Sequence, residues 1–139
     1  MGAIVEALTT GSLAKRGGVN LETIRYYERE GLMLPPRRKA SGHRAYAPSD
    51  LKRLRFIKGA KDLGFSLGEI KKILALRLDP EQPCANVIRQ IEVKAEEVKK
   101  KIVHLRVMLR TLNRLKSSCE GDCPVRACPI LENLDSEVA

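Results

Sequence analysis

Four cysteines carry the distinctive chemistry of this 139-residue chain. Three fall in the stretch CEGDCPVRAC, residues 119–128, and the fourth, Cys84, stands alone. Thiolates are soft ligands that select Zn(II), Cu(I), iron–sulfur clusters or heavier soft ions. The same cluster could serve as a redox pair or as a structural disulfide clasp, but in a reducing cytosol clustered thiols are more often ligands or redox centres. The spacings are C-x3-C and C-x4-C. Neither is the C-x2-C of a zinc ribbon or a thioredoxin-like pair, nor do they match an iron–sulfur signature. Gly121, Pro124 and Pro129 argue for a bent loop wrapping something. A metal site leads, and a disulfide switch using Cys123 with Cys119 or Cys128 stays open beside it. His43 and His104 lie outside the cluster and read as surface or packing residues. No phosphate loop, H-E-x-x-H, G-x-S-x-G or dinucleotide fingerprint is present, so an enzyme reading has no residues to stand on.

The element that must position Cys84 is a long helix. From Cys84 to about Lys116 there is neither Pro nor Gly. Ile88, Ala95, Ile102 and Leu109 form one seven-spaced series, and Cys84, Ile91, Val98, Leu105 and Leu112 form the other. Such a heptad seam wants a partner helix. About 33 residues at ~1.5 Å each make a rod of roughly 50 Å, too long for the small N-terminal half to cover. A homodimer is therefore expected, parallel or antiparallel, although the seam could also pack on its own domain. Cys84 falls in register with the seam at the start of the rod, which directs its sulfur toward the other chain. In an antiparallel pair, the start of one rod lies beside the end of the other, and the four thiols converge.

Charge locates a second function. The chain has 26 Lys and Arg against 17 Asp and Glu, net +9. Residues 1–80 hold 16 basic and 8 acidic residues, net +8, whereas residues 81–139 hold 10 and 9, net +1. A polyanionic partner is expected to bind the first half. Met1 to Thr10 has no basic region followed by an apolar one, and charge interrupts every later apolar run, so a soluble, cytoplasmic protein with no membrane association is expected. Glu6 stands where a myristoylation motif wants Ser or Thr.

The basic half reads as a compact DNA-reading head. In TTGSLAKRGGVNLETIRYYEREG, Leu13 and Ala14 give a small apolar face, Gly17 and Gly18 permit a tight turn, and Asn20 can cap a second helix bearing Thr23, Arg25 and Tyr26. That is the pattern of a helix-turn-helix. Pro35, Pro36 and Gly42 forbid helix in the next stretch, where Ser41-Gly42 favours a turn between two short extended arms, a hairpin wing. Arg37, Arg38, Lys39, His43 and Arg44 crowd onto it, well placed for phosphate. Pro48 opens a helix to about Leu63, with Leu51, Leu54, Ile57 and Ala60 on its apolar face. Ser66 with Glu69 is a capping-box signature for another, carrying Leu67, Ile70, Ile73 and Leu74. Asp79-Pro80 and Gln82-Pro83 then form a linker.

Together, VNLETIRYYEREGL, SGHRAY, FIKGAKDLGFSLGEIKKIL and a rod followed by a cysteine loop ending CPILENL resemble the MerR family of transcription regulators. The resemblance runs from about Thr9 to Leu134. Within the family, the isolated Cys84 with the C-x8-C pair Cys119 and Cys128, followed by Pro129, is similar to the mercury-responsive branch. It implies a mainly α fold with a small β-hairpin wing. A winged helix-turn-helix DNA-binding domain (9–78) would precede an antiparallel coiled-coil dimerisation helix (84–116) and a metal-binding loop with a short C-terminal helix (117–139). It implies a homodimer on a palindromic operator in double-stranded promoter DNA, acting with RNA polymerase by distorting an overlong promoter spacer when effector binds. Thr23, Arg25 and Tyr26 would face the major groove or its flanking phosphates, and Arg44 and Lys61 the backbone. Cys84 of one subunit with Cys119 and Cys128 of the other would bind Hg(II). Cys123 departs from that pattern. As a fourth thiol it could complete a site for Zn(II), Cd(II) or Pb(II), although zinc-sensing relatives usually carry a doubled cysteine where Ser118 stands here. A cytosolic metal-buffering protein, with its basic half serving solubility, is the remaining alternative.

Overall fold

The computed structural model describes residues 7 to 137. Glu6 and the last two residues of the 117–139 segment lie outside them. The order is α1 (Thr10–Gly17), α2 (Leu21–Arg29), β1 (Arg37–Arg38), β2 (Arg44–Ala45), α3 (Pro48–Asp62), α4 (Leu67–Leu76), α5 (Ala85–Ser117), a 3-10 turn (Val125–Ala127) and α6 (Pro129–Glu137). The chain is mainly α with one two-stranded antiparallel hairpin, pairing Arg37 with Ala45 and Arg38 with Arg44. It divides into two compact units at Gln90, within α5.

Local chemistry sets the helix starts of the first unit. Thr9 caps α1, its hydroxyl oxygen accepting from the Ser12 N–H at 3.0 Å. Asn20 Oδ1 accepts from the Thr23 N–H at 2.8 Å and so caps α2. At α3, with Pro48 in the first turn, the Asp50 carboxylate accepts from the Ala47 N–H at 2.8 Å. Ser66 and Glu69 form the reciprocal box expected at α4, with bonds of 2.9 and 3.2 Å. Each satisfies an N–H that the helix itself leaves unbonded.

One core holds this unit together. Leu13, Ile24, Leu32, Met33, Tyr46, Leu54, Ile57 and Ile70 are buried to within two per cent of completely. The helix-turn-helix corner closes around two glycines. Gly18 ends α1 with φ +68°, a left-handed conformation that glycine adopts without steric penalty. Gly17 lies against the side chain of Leu54, so close that a Cβ there would overlap it. The core also reaches one residue before the expected start, because Leu8 is buried and its backbone pairs with Tyr46 at 2.7 and 2.9 Å.

The second unit is dominated by α5, a helix of 33 residues. Ile91, Val98, Ile102, Leu105, Leu109 and Leu112 of the heptad seam are all exposed in the single chain. Leu115 is the apolar residue of α5 that is buried. No helix among the described residues is long and apolar enough to cross a membrane.

Candidate nucleic-acid interface and thiol site

The expected DNA-facing residues of α2 are presented to solvent by the half of the helix that the core does not use. Ile24 and Tyr27 face inward, leaving Arg25 and Tyr26 exposed. Arg25 pairs with Glu22 at 3.1 Å on the same helix face, with both side chains more than half exposed. Such a pair is weak and easily exchanged for a phosphate. The Arg29 guanidinium lies 5.9 Å from the Tyr26 ring centroid, within cation–π range. Thr23 is half-buried, and its hydroxyl donates to Asn20 Oδ1 at 2.8 Å. It is therefore part of the cap as well as a surface candidate. Lys61 is exposed in the last turn of α3.

The wing brings its basic side chains to the surface with one exception. Arg37, Arg38, Lys39 and His43 are exposed. The turn is braced by Arg38, which donates to the Gly42 carbonyl at 3.1 Å, and by a 3.0 Å bond between His43 Nδ1 and the Ser41 hydroxyl. Arg44 differs. Its Nη1 donates to Glu28 Oε2 at 2.9 Å and lies 3.4 Å from the Tyr46 hydroxyl, which itself donates to Glu28 Oε1. Glu28 belongs to α2, so one carboxylate ties the wing to the helix that carries Arg25 and Tyr26. Nothing local marks this tie, which spans 16 and 18 residues. The bond from Arg44 to Tyr46, and then the charge of Glu28, hold the Arg44 guanidinium above its usual range. Burial, and then the bond to Glu28, push the Tyr46 phenol up.

The thiols fall in two places. Cys84 precedes the first residue of α5, where its carbonyl accepts from the Val87 and Ile88 N–H groups, both at 3.0 Å, and the residue is exposed. The other three are half-buried at the far end of the chain. Cys119 lies just beyond α5, Cys123 within the bend that Gly121 makes, and Cys128 directly before α6. The structure brings Cys119 and Cys123 together, with their sulfurs 3.5 Å apart, and the Gly121 N–H reaches Cys119 Sγ at 3.4 Å. Hydrogen bonding to Cys119 is the main cause that holds the Cys123 thiol above its usual range, followed by burial and then the charges of Cys119 and Cys128. Cys123 is thus in contact with Cys119, a pairing that the C-x8-C pattern of Cys119 and Cys128 does not point to. Among the described residues of one chain, no group of three or more His, Cys, Asp or Glu is arranged to hold a metal ion.

The thiol geometry suits chelation. Two thiolates on one tetrahedral ion at about 2.3 Å each lie about 3.8 Å apart. The 3.5 Å between Cys119 and Cys123 needs only a small adjustment to reach that separation.

Comparison with known proteins places these features in a common setting. Residues 8–76 match the family model described as MerR HTH family regulatory protein. Residues 51–115 match the one described as MerR, DNA binding. The chain is 41% identical to a mercuric resistance operon regulatory protein of Bacillus cereus, covering 89% of this chain and 94% of that protein. It is also 41% identical to the HTH-type transcriptional regulator ZntR of Escherichia coli K12, covering 90% of each. In three dimensions it is similar to the transcription regulator PbrR691 of Ralstonia metallidurans CH34, solved in complex with lead(II). The TM-score is 0.79 at 34% identity, over 91% of this chain and 98% of that one.

Proposed function

Because this chain belongs to the MerR family of helix-turn-helix regulatory proteins, we propose that it is a metal-responsive transcription regulator that senses Hg(II) through cysteine thiolates. The family is one of transcription regulators, and no catalytic role is proposed. The partners are a second copy of the chain, a palindromic operator in promoter DNA, and RNA polymerase, in the cytoplasm. Thr23, Arg25, Tyr26, Arg44 and Lys61 make the DNA surface. The regulator is proposed to activate its promoter by distorting that DNA.

One observation carries the metal reading: three half-buried free thiols share one short loop, two of them in contact. Cys84 of one protomer, with Cys119 and Cys128 of its partner, would supply three thiolates to a soft ion. A bound ion would link the start of one α5 to the loop of the other chain, and so couple occupancy, through the Pro80 to Pro83 linker, to the head that precedes it. Three sulfurs suit Hg(II), whereas Zn(II) takes a fourth ligand. The similarity to a mercuric resistance regulator supports this choice.

A second reading is favoured by the Cys119 to Cys123 contact. Cys123 would be a fourth thiolate, and the effector Zn(II), Cd(II) or Pb(II). The likeness to a regulator solved with lead(II) supports it.

Anaerobic titration of the reduced dimer with Hg(II), Cd(II), Pb(II) and Zn(II), followed by thiolate-to-metal absorption in wild type and Cys123→Ser, separates the two. Under the mercury reading Hg(II) saturates with three thiolates per site and Cys123→Ser leaves that unchanged. A large loss of Zn(II), Cd(II) or Pb(II) affinity in Cys123→Ser, with no preference for Hg(II) in wild type, would establish the four-thiolate reading instead. Cys84→Ser is expected to abolish the metal response while leaving operator binding near wild type.

A further inference from the structure

We infer that Glu28 is a positioning residue for DNA binding, holding Arg44 at the rim of a basic depression that receives a backbone phosphate. The inference rests on the DNA-binding reading above and goes beyond it, since Glu28 is acidic and would be expected to repel DNA.

Three observations combine. First, the Glu28 carboxylate is fully engaged: one oxygen accepts from Arg44 Nη1 at 2.9 Å and the other from the Tyr46 hydroxyl. Its side chain is only 11% exposed, against 30% for Arg44. An ion pair shielded to that degree, with both carboxylate oxygens bonded, holds its geometry far better than the exposed Arg25–Glu22 pair does. Second, Tyr46 is itself immobilised. It is 1% exposed, and its backbone pairs with Leu8. The carboxylate is therefore referenced to the core, and passes that reference to Arg44.

Third, Arg44 opens onto a receptor. With Thr9, Thr10, Lys39, Ser41 and His43 it lines a depression of about 360 Å³. Its bonds within the chain leave from Nη1, and among the described residues none is made by Nη2 or Nε. A guanidinium presents five N–H donors in a rigid fork, so anchoring one nitrogen leaves the others aimed. Hydroxyls from Thr9, Thr10 and Ser41 and the cation of Lys39 complete a set of donors and charge suited to a phosphodiester. Pre-setting Arg44 removes the cost of ordering a long side chain on binding.

The test compares wild type, Glu28→Gln, Arg44→Ala and the double variant on a duplex that wild type recovers from a random-sequence pool, titrated over a series of salt concentrations. Glu28→Gln makes each subunit one unit more positive, so simple electrostatics demands tighter binding. Positioning demands the opposite, an affinity loss on the order of tenfold. It also demands a fall in the salt slope of about 1.8, since each lost phosphate contact removes about 0.9 and the dimer loses two. In the Arg44→Ala background, Glu28→Gln is expected to add nothing, as it acts through Arg44. Glu28→Asp, which keeps the charge but withdraws the carboxylate by one methylene, is expected to lose the same slope and stands in should Glu28→Gln not fold. Unchanged or tighter binding by Glu28→Gln, or a further loss in the Arg44→Ala background, would overturn the assignment. Failure of wild type to enrich any duplex would overturn the DNA-binding reading along with it.

Discussion

The head and the rod solve the burial of apolar side chains in opposite ways. In the head, α1 to α4 and the wing enclose Leu13, Ile24, Leu54, Ile57 and Ile70 within a single chain. In the rod, Ile91, Val98, Ile102, Leu105, Leu109 and Leu112 repeat as regularly as any core, yet remain exposed. A single chain can therefore fold the first region without help, whereas the second is complete only when another surface covers its seam. On the proposed function, DNA binding and effector response would fall to regions of different self-sufficiency, with assembly a condition for the second and not for folding of the first.

The comparison breaks most visibly at the seam. Leu105→Glu is expected to dissociate the proposed dimer, because a leucine buried in it is worth about 2 to 3 kcal/mol, both copies are lost, and a carboxylate must be buried besides. Sedimentation equilibrium should find monomers, with the head still folded by circular dichroism. A dimer that survives would mean that α5 pairs through another face. Next in size is Leu54→Ala, expected to destabilise the head by about 3 kcal/mol through lost burial and a residual cavity, read by denaturant unfolding. The metal titration of the rod and loop should be unmoved by it under native conditions. The smallest effect sharpens the contrast within the head. Asn20→Ala removes a cap and should cost about 1 kcal/mol. The same change also removes the acceptor of the Thr23 hydroxyl, so operator affinity should fall further than stability alone explains.

What the sequence disclosed follows the range of the interactions involved. Caps at Asn20 and at Ser66 with Glu69 span three residues and were legible from residue type and spacing alone. So were the turn at Gly17 and Gly18 and the length of α5, which depends on an uninterrupted run free of Pro and Gly. The wing was legible as a hairpin from Pro35, Pro36 and Gly42, although each arm amounts to only two paired residues. The tie from Glu28 to Arg44 and Tyr46 was not, because a carboxylate on one helix gives no local sign of which distant cation it will meet. The cysteine loop lies between these cases. Residue type marked the thiols as candidate ligands, but the path of the backbone through Gly121 decided that Cys119 meets Cys123.

Gly17 carries one last consequence, which concerns inheritance. Every single-nucleotide change that replaces a glycine codon by that of another amino acid brings in a Cβ, and at this position the space is already taken by Leu54, which is fully buried and has nowhere to retreat. Every one-step amino-acid change at codon 17 is therefore expected to displace Leu54. Gly18 is constrained differently, by its positive φ, which Asn can also adopt. Of two adjacent and chemically identical residues, one resists substitution through overlap with the core and the other through backbone strain, with a Cβ at Gly18 also meeting Lys58 at 3.3 Å.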